Sequence, residues 1–149
     1  MSKILLFFFL AFVAGFLVGI KWQILNQKTE AILRINNQPI KVELAKTDEE
    51  ITNGLSGREK LEENSGMLFI FNKAGNYPFW MKEMKFSLDA IFVNGQKVVD
   101  LVENIPFPKN NEQPQAFGVK ADFDKVLEVN SGTIKRLNIK IGDKVEFSK

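Results

Sequence analysis

Leu88-Asp-Ala-Ile-Phe-Val93, then Asn94-Gly95, then Lys97-Val-Val-Asp-Leu-Val102 is the stretch that decides the fold class. Two apolar runs of strand length flank an Asn-Gly pair, the strongest short hairpin signal, because a type I′ turn needs positive φ at both central residues. An antiparallel hairpin is therefore expected here, with its turn on Asn94-Gly95. The runs are too short for helices and rich in β-branched residues.

Working outward, the same grammar repeats. Ala31-Ile-Leu-Arg-Ile35 and Ile40-Lys-Val-Glu-Leu44 form two strands around a turn at Asn36-Asn37-Gln38-Pro39. In the second, Ile40, Val42 and Leu44 share one face and Lys41 and Glu43 the other. Thr47-Asp48-Glu49-Glu50 has the form of a capping box, opening a helix of about two turns that stops at Gly54. Gly66-Met-Leu-Phe-Ile-Phe71 reads as a strand buried on both faces, and Asn72 to Asn76 as a turn. Pro78 holds Tyr77 extended, and Phe79-Trp80-Met81 begins another extended piece. Ile105 to Gln115 carries three prolines and no periodicity, which predicts a long surface loop. Val126-Leu-Glu-Val129 is a strand, Ser131 to Leu137 about a helical turn with Ser131 as N-cap, and Lys144 to Phe147 a closing strand after Gly142-Asp143. Seven or eight short strands and one or two short helices make a mainly β (α+β) domain, an antiparallel β barrel or sandwich.

The N-terminus is different in kind. Ile4 to Ile20 (ILLFFFLAFVAGFLVGI) has no polar side chain and lies between Lys3 and Lys21. As a helix it would span about 25 Å, slightly short of a ~30 Å hydrocarbon core, and Lys snorkelling with Trp22 at the headgroup level makes up the difference. Val13-Ala14-Gly15 is a passable cleavage site, but the apolar run continues past it without a polar end, which favours an uncleaved anchor over a removed signal. The expected organisation is a transmembrane anchor or signal segment over residues 1–25, a tether over 26–30, and one globular β-rich domain over 31–149. The three-residue head is easily left in the cytoplasm, so the domain is expected to be extracytoplasmic, on a single-pass membrane protein.

Composition closes several chemistries. The 149 residues include no His and no Cys. There is thus no imidazole base, Ser-His-Asp triad, thiol nucleophile, disulfide or ordinary zinc site. The formal charge of +2 comes from Lys3 and Lys21, and from Trp22 onward 18 cations meet 18 anions. A nucleic-acid partner is not expected, because phosphate affinity rests largely on a basic surplus. No Asp-x-Asp-x-Asp-Gly loop offers calcium a site, and no metal or cofactor is expected.

Several segments together resemble the domain of unknown function 192 family. They are Gly54-Leu55-Ser56-Gly57-Arg58, Gly66-Met67-Leu68-Phe69-Ile70-Phe71, Phe79-Trp80-Met81-Lys82, Leu88-Asp89-Ala90-Ile91-Phe92, Val126-Leu127-Glu128 with Gly132, and Ile141-Gly142-Asp143. Order and spacing fit over about Asn36 to Phe147. The resemblance implies a small mainly β domain, often carried behind a signal peptide or anchor, with no activity attached. This chain departs from the family pattern at Ser56 (usually Met), at Glu83-Met84 (usually Asn-Thr) and at Ser87 (usually Pro).

The candidate ligand-binding residues are Arg58, Trp80, Lys82 and Asp89. In an extended segment Trp80 and Lys82 project from one face. With the Asp89 carboxylate they could hold a small polar or sugar-like ligand by stacking and charge-assisted hydrogen bonds. The plainer reading makes Trp80 core and Lys82–Asp89 a solvated pair. Arg58, in a glycine-bounded loop, could grip a carboxylate or phosphate, or tie down its own loop. Three functions follow: a non-catalytic module for a small ligand or envelope protein, a cell-envelope carbohydrate hydrolase using Asp89 and Glu128 as paired carboxylates, and a structural accessory subunit docking through the 105–115 loop. Ser131 and Lys135 could sketch a Ser-Lys dyad, though an N-cap and a solvent-side lysine explain them as well.

Overall fold

The structure, a computed structural model, describes residues 29–109 and 112–148. The elements are β1 (Glu30–Ile35), β2 (Gln38–Ala45), α1 (Asp48–Asn53), β3 (Ser65–Gly75), β4 (Phe79–Trp80), β5 (Leu88–Asn94), β6 (Lys97–Ile105), β7 (Ala116–Phe117), β8 (Phe123–Asn130), α2 (Thr133–Arg136) and β9 (Val145–Ser148). The hairpin around Asn94-Gly95 forms, but its turn is one residue further along than expected. Asn94 pairs with Lys97, leaving Gly95-Gln96 as the loop, and Gly95 carries the positive φ of +61°. Positive φ at the first central position alone is the requirement of a type II′ turn, which glycine meets. Side-chain and backbone bonds fix the shift: Asn94 Nδ2 donates to the Asp122 carbonyl at 3.0 Å and Gly95 N–H to Asp124 Oδ1 at 3.1 Å.

The first hairpin is also tighter than expected. Asn36 and Asn37, both at positive φ, make a two-residue turn, and Gln38 and Pro39 already belong to β2. Pro39 is tolerated there because pairing of β2 with β3 begins only at Lys41, so no ladder bond needs its missing N–H. The capping box forms as read: Thr47 Oγ1 accepts the Glu50 N–H and the Glu50 carboxylate accepts the Thr47 N–H. β3 runs on to Gly75, through the expected turn. At α2 the N-cap is Gly132, at φ +87°, rather than Ser131, whose hydroxyl donates to Asn104 Oδ1 at 2.7 Å.

Seven strands form one sheet in the order β6-β5-β8-β3-β2-β1-β9, antiparallel except for β2–β3, which α1 connects in parallel. The sheet curls into a half-barrel, and its outer strands meet at one end. There Val98 N–H donates to the Asp143 carbonyl at 3.0 Å and Val145 N–H to the Gln96 carbonyl at 2.9 Å. β4 and β7 pair as a separate two-stranded ribbon; β7 lies just past the proline-rich loop, where no strand was expected.

Both faces of the central strands are buried, which explains the apolar runs within β3 and β5. Leu68, Ile91 and Leu127 face one core with Leu33, Ile35 and Val42; Phe69, Phe92 and Val126 face the other with Met81 and Phe123. Each such side chain is worth about 1.5–3 kcal/mol of burial. The second core is rich in aromatic rings, with Phe79 edge-on to Phe69 and Phe92 edge-on to Phe123. The expected anchor, Ile4 to Ile20, lies outside the described residues; among those, no helix is long and apolar enough to cross a membrane.

Candidate functional site

Strand alternation separates the four residues singled out from the sequence. In the segment from Phe79 to Lys82, Phe79 and Met81 turn into the second core, while Trp80 and Lys82 turn outward. Trp80 is 52% exposed, so it is not core. Lys82 Nζ lies 5.5 Å from the centroid of its ring, within cation–π range.

Asp89 does not join them. It is fully buried within β5, where Oδ1 accepts the Asn104 N–H and Oδ2 the Ile134 N–H, each at 2.9 Å. Both oxygens are committed to backbone donors, so the expected convergence of Trp80, Lys82 and Asp89 does not form. The carboxylate that approaches Lys82 is Glu83, at 3.9 Å.

Arg58 is engaged as well. Its guanidinium makes a two-pronged pair with Glu43 at 2.6 and 2.7 Å, tying its loop to β2. Arg58 lines a recess with Glu43, Lys41, Lys60 and Glu62, apart from the residues around Trp80.

Trp80 instead stands at the mouth of a narrow cleft of about 30 Å³. One wall is the end of α1 and the loop after it, Ile51 to Ser56; the other is Phe79, Trp80 and Met84. The walls are stitched together beside the mouth, because Ser56 Oγ donates to the Lys82 carbonyl at 2.9 Å and Gly57 N–H to the Glu83 carbonyl at 3.0 Å. Gly54, at φ +48°, lets this wall close down on the sheet: a Cβ there would stand 3.2 Å from the Phe69 ring.

Glu128 of β8 lies at the base of the cleft. It is 5% exposed and is the single titratable residue among those lining the cleft. Among the described residues its carboxyl makes no hydrogen bond or ion pair, and burial alone raises its pKa to about 8. Among the described residues no sealed side-chain oxygen or nitrogen lacks a partner, so the Glu128 oxygens touch the open space of the cleft. Glu128 thus neither points outward into solvent nor meets a buried cation. Its neighbour Val126 gives the overlooked signal: two residues apart in a strand, they share a face, and that face is the aromatic core.

The paired-carboxylate arrangement is absent. Glu128 stands opposite Ala90 and Asp89 opposite Val129, which puts the two carboxyls on opposite faces of one sheet. A glycosidase pair must flank one scissile bond, so this geometry removes the hydrolase built on Asp89 and Glu128. Among the described residues no three acidic side chains gather as a metal-ligand set.

The family model described as DUF192, Uncharacterized ACR, matches residues 31–147, and the chain belongs to that family. Two solved structures are similar. One is a Sinorhizobium meliloti protein whose description offers a role as a transcription regulator, at 27% identity and a TM-score of 0.73, covering 81% of this chain and 95% of that one. The other is a protein of unknown function from Novosphingobium aromaticivorans, at 31% identity and a TM-score of 0.70, covering 78% of this chain and 84% of that one. No curated protein matches the chain.

Proposed function

We propose that this domain is a non-catalytic binding module that takes a small polar or sugar-like ligand at the cleft between the Gly54 loop and Trp80, and that residues 4–20 anchor it to a membrane with the domain on the extracytoplasmic side. One observation carries the binding site. A half-exposed indole with an ammonium over its face stands at the mouth of an aromatic-walled cleft with one free carboxyl at its base. Small-ligand sites have this make-up, mostly apolar walls with a few placed polar groups. Neither Arg58 nor Asp89 belongs to it, since each is committed elsewhere in the fold. The anchor rests on the unbroken apolar run between Lys3 and Lys21. The regulator description of the S. meliloti protein is not carried over, because from Trp22 onward cations and anions balance and no basic surplus is left for a nucleic acid.

A thermal-shift screen of envelope sugars, carboxylates and nucleotides on the full chain, repeated with Trp80→Ala and Lys82→Met, tests the site. A hit is expected whose shift disappears in Trp80→Ala while the melting temperature without ligand stays near that of the wild type. A hit unaffected by Trp80→Ala contradicts the site. For the anchor, the full chain is expected in the membrane fraction after alkaline washing, and its recovery in the soluble fraction sinks that part.

A further inference from the structure

Glu128 poses a physical problem. A carboxyl buried among Phe69, Phe79, Met84 and Leu88, with no hydrogen bond from any described residue, lowers stability unless something compensates. None of the described elements packed against it supplies that compensation. On the sheet its cross-strand neighbours are Met67 of β3 and Ala90 of β5. From the α1 side come Thr52, Asn53 and Ser56, and from the far wall Phe79, Trp80 and Met84, none of them ionisable. Lys82 lies over the Trp80 ring at the rim, beside Glu83, and is not among the residues lining the cleft. The cleft is open to solvent at the Trp80 mouth and ends on an acid that no described residue satisfies.

We propose that Glu128 is the recognition residue for the ammonium head of a small organic amine, which reaches past Trp80 to pair with the carboxylate at the base of the narrow cleft while the rest of the amine lies at the Trp80 mouth. This rests on the reading of the cleft as the ligand site and names the chemistry that the ligand must bring. The aromatic walls suit such a group, since ring faces attract cations, most strongly away from water. A neutral ligand donor would satisfy one oxygen; an ammonium satisfies the charge too. Pairing requires the ionised acid, so below about pH 8 uptake of the amine releases a proton from Glu128. The amine's affinity therefore rises about tenfold per pH unit up to that point and then levels off.

Titration of the full chain in detergent with n-butylammonium chloride, by calorimetry in buffers of different ionisation enthalpy, tests this; n-butanol is the neutral control. Expected are saturable binding, proton release below about pH 8, tighter binding as the pH rises, and a loss of about tenfold or more in Glu128→Gln. Gln is neutral like the protonated acid, so that variant is expected to stay folded, and a native circular dichroism spectrum checks it. Butanol binding as well as the amine, equal amine binding by Glu128→Gln, or no saturation by the amine overturns the proposal. If the sugar and carboxylate screen still gives a hit that depends on Trp80 but not on Glu128, only the ammonium assignment falls. If no hit depends on Trp80, the cleft itself is not the site.

Discussion

Asp89 on β5 accepts the backbone N–H of Ile134 at 2.9 Å across 45 residues of sequence, so the strand caps the first turn of α2 from beneath. Gly132 at the N-cap has no side chain to do so. The second Asp89 oxygen takes the Asn104 N–H near the end of β6. One carboxylate thereby joins three elements. Asp89→Asn turns an amide N–H₂ toward one of these donors and is expected to cost about 1.5–3 kcal/mol, the range for hydrogen bonds to charged groups. Urea unfolding measures it; an unchanged midpoint would show that Asp89 has no such structural role.

Gly66, the first residue of the Gly-Met-Leu-Phe segment, lies under β8. A Cβ at this position would stand 2.7 Å from the Glu128 carbonyl oxygen and 2.8 Å from Leu127 Cδ1. The obstacle includes backbone, which cannot swing aside, so Gly66→Ala forces β3 and β8 apart. A loss of about 1–3 kcal/mol is expected, as for overpacked cores, with disturbed amide shifts along both strands. Retention of wild-type stability by Gly66→Ala would mean the two strands are not this close.

Glu128 makes stability depend on pH in an unusual direction. Its folded pKa, about 8, lies above the ordinary 4.5, so between those values the unfolded chain has released a proton that the folded chain still holds. The unfolded state binds fewer protons there, and stability falls as pH rises through this window, levelling off above about 8. Glu128→Gln is expected to remove that slope. It leaves stability near pH 4 unchanged and raises it near pH 7 by up to about 3 kcal/mol. Denaturation of both proteins from pH 4 to pH 9 decides the matter, and parallel curves refute the burial of the acid.

α1 supplies one wall of the cleft, and its capping box holds that wall in place. Thr47→Ala is expected to cost about 1 kcal/mol and to weaken ligand binding modestly by loosening Asn53 to Ser56. Backbone N–H groups of Lys46 and Thr47 hold the Glu50 carboxyl below its ordinary pKa. Its share of the cap is therefore present above pH 4.5 and fades as the pH falls through the lower folded value. Hydrogen exchange in residues 48–53 reads the loosening; unchanged exchange in Thr47→Ala contradicts the role of the cap.

Local signals carried much of the fold. The hairpins around Asn36-Asn37 and Gly95, the capping box at Thr47 and the doubly buried Gly66 to Phe71 run follow from neighbours in sequence. The exact turn residues depend on distant partners, as the Asp122 and Asp124 contacts to Asn94 and Gly95 show. The two-residue strand β7 has no pattern of its own and exists only because Phe79 and Trp80 are there to pair with it. For the site, alternation puts Trp80 and Lys82 on one face, but that this face turns outward rather than into the core depends on what packs beneath it. Asp89 and Glu128 could not be placed from sequence. Whether an acid inside an apolar strand faces donors or emptiness depends on which strands flank it and on what covers that face. Here the answers differ: Asp89 meets two amide donors and Glu128 meets none.

The most direct test of the cleft is the titration of the Glu128 side-chain carboxyl by carbon-13 NMR in the full chain, alone and with n-butylammonium. Expected is an inflection at about 8 without ligand, moving to lower pH when the amine is added. An inflection already in the ordinary carboxylate range, unmoved by the amine, would contradict a buried, unpartnered acid waiting at the base of a binding cleft.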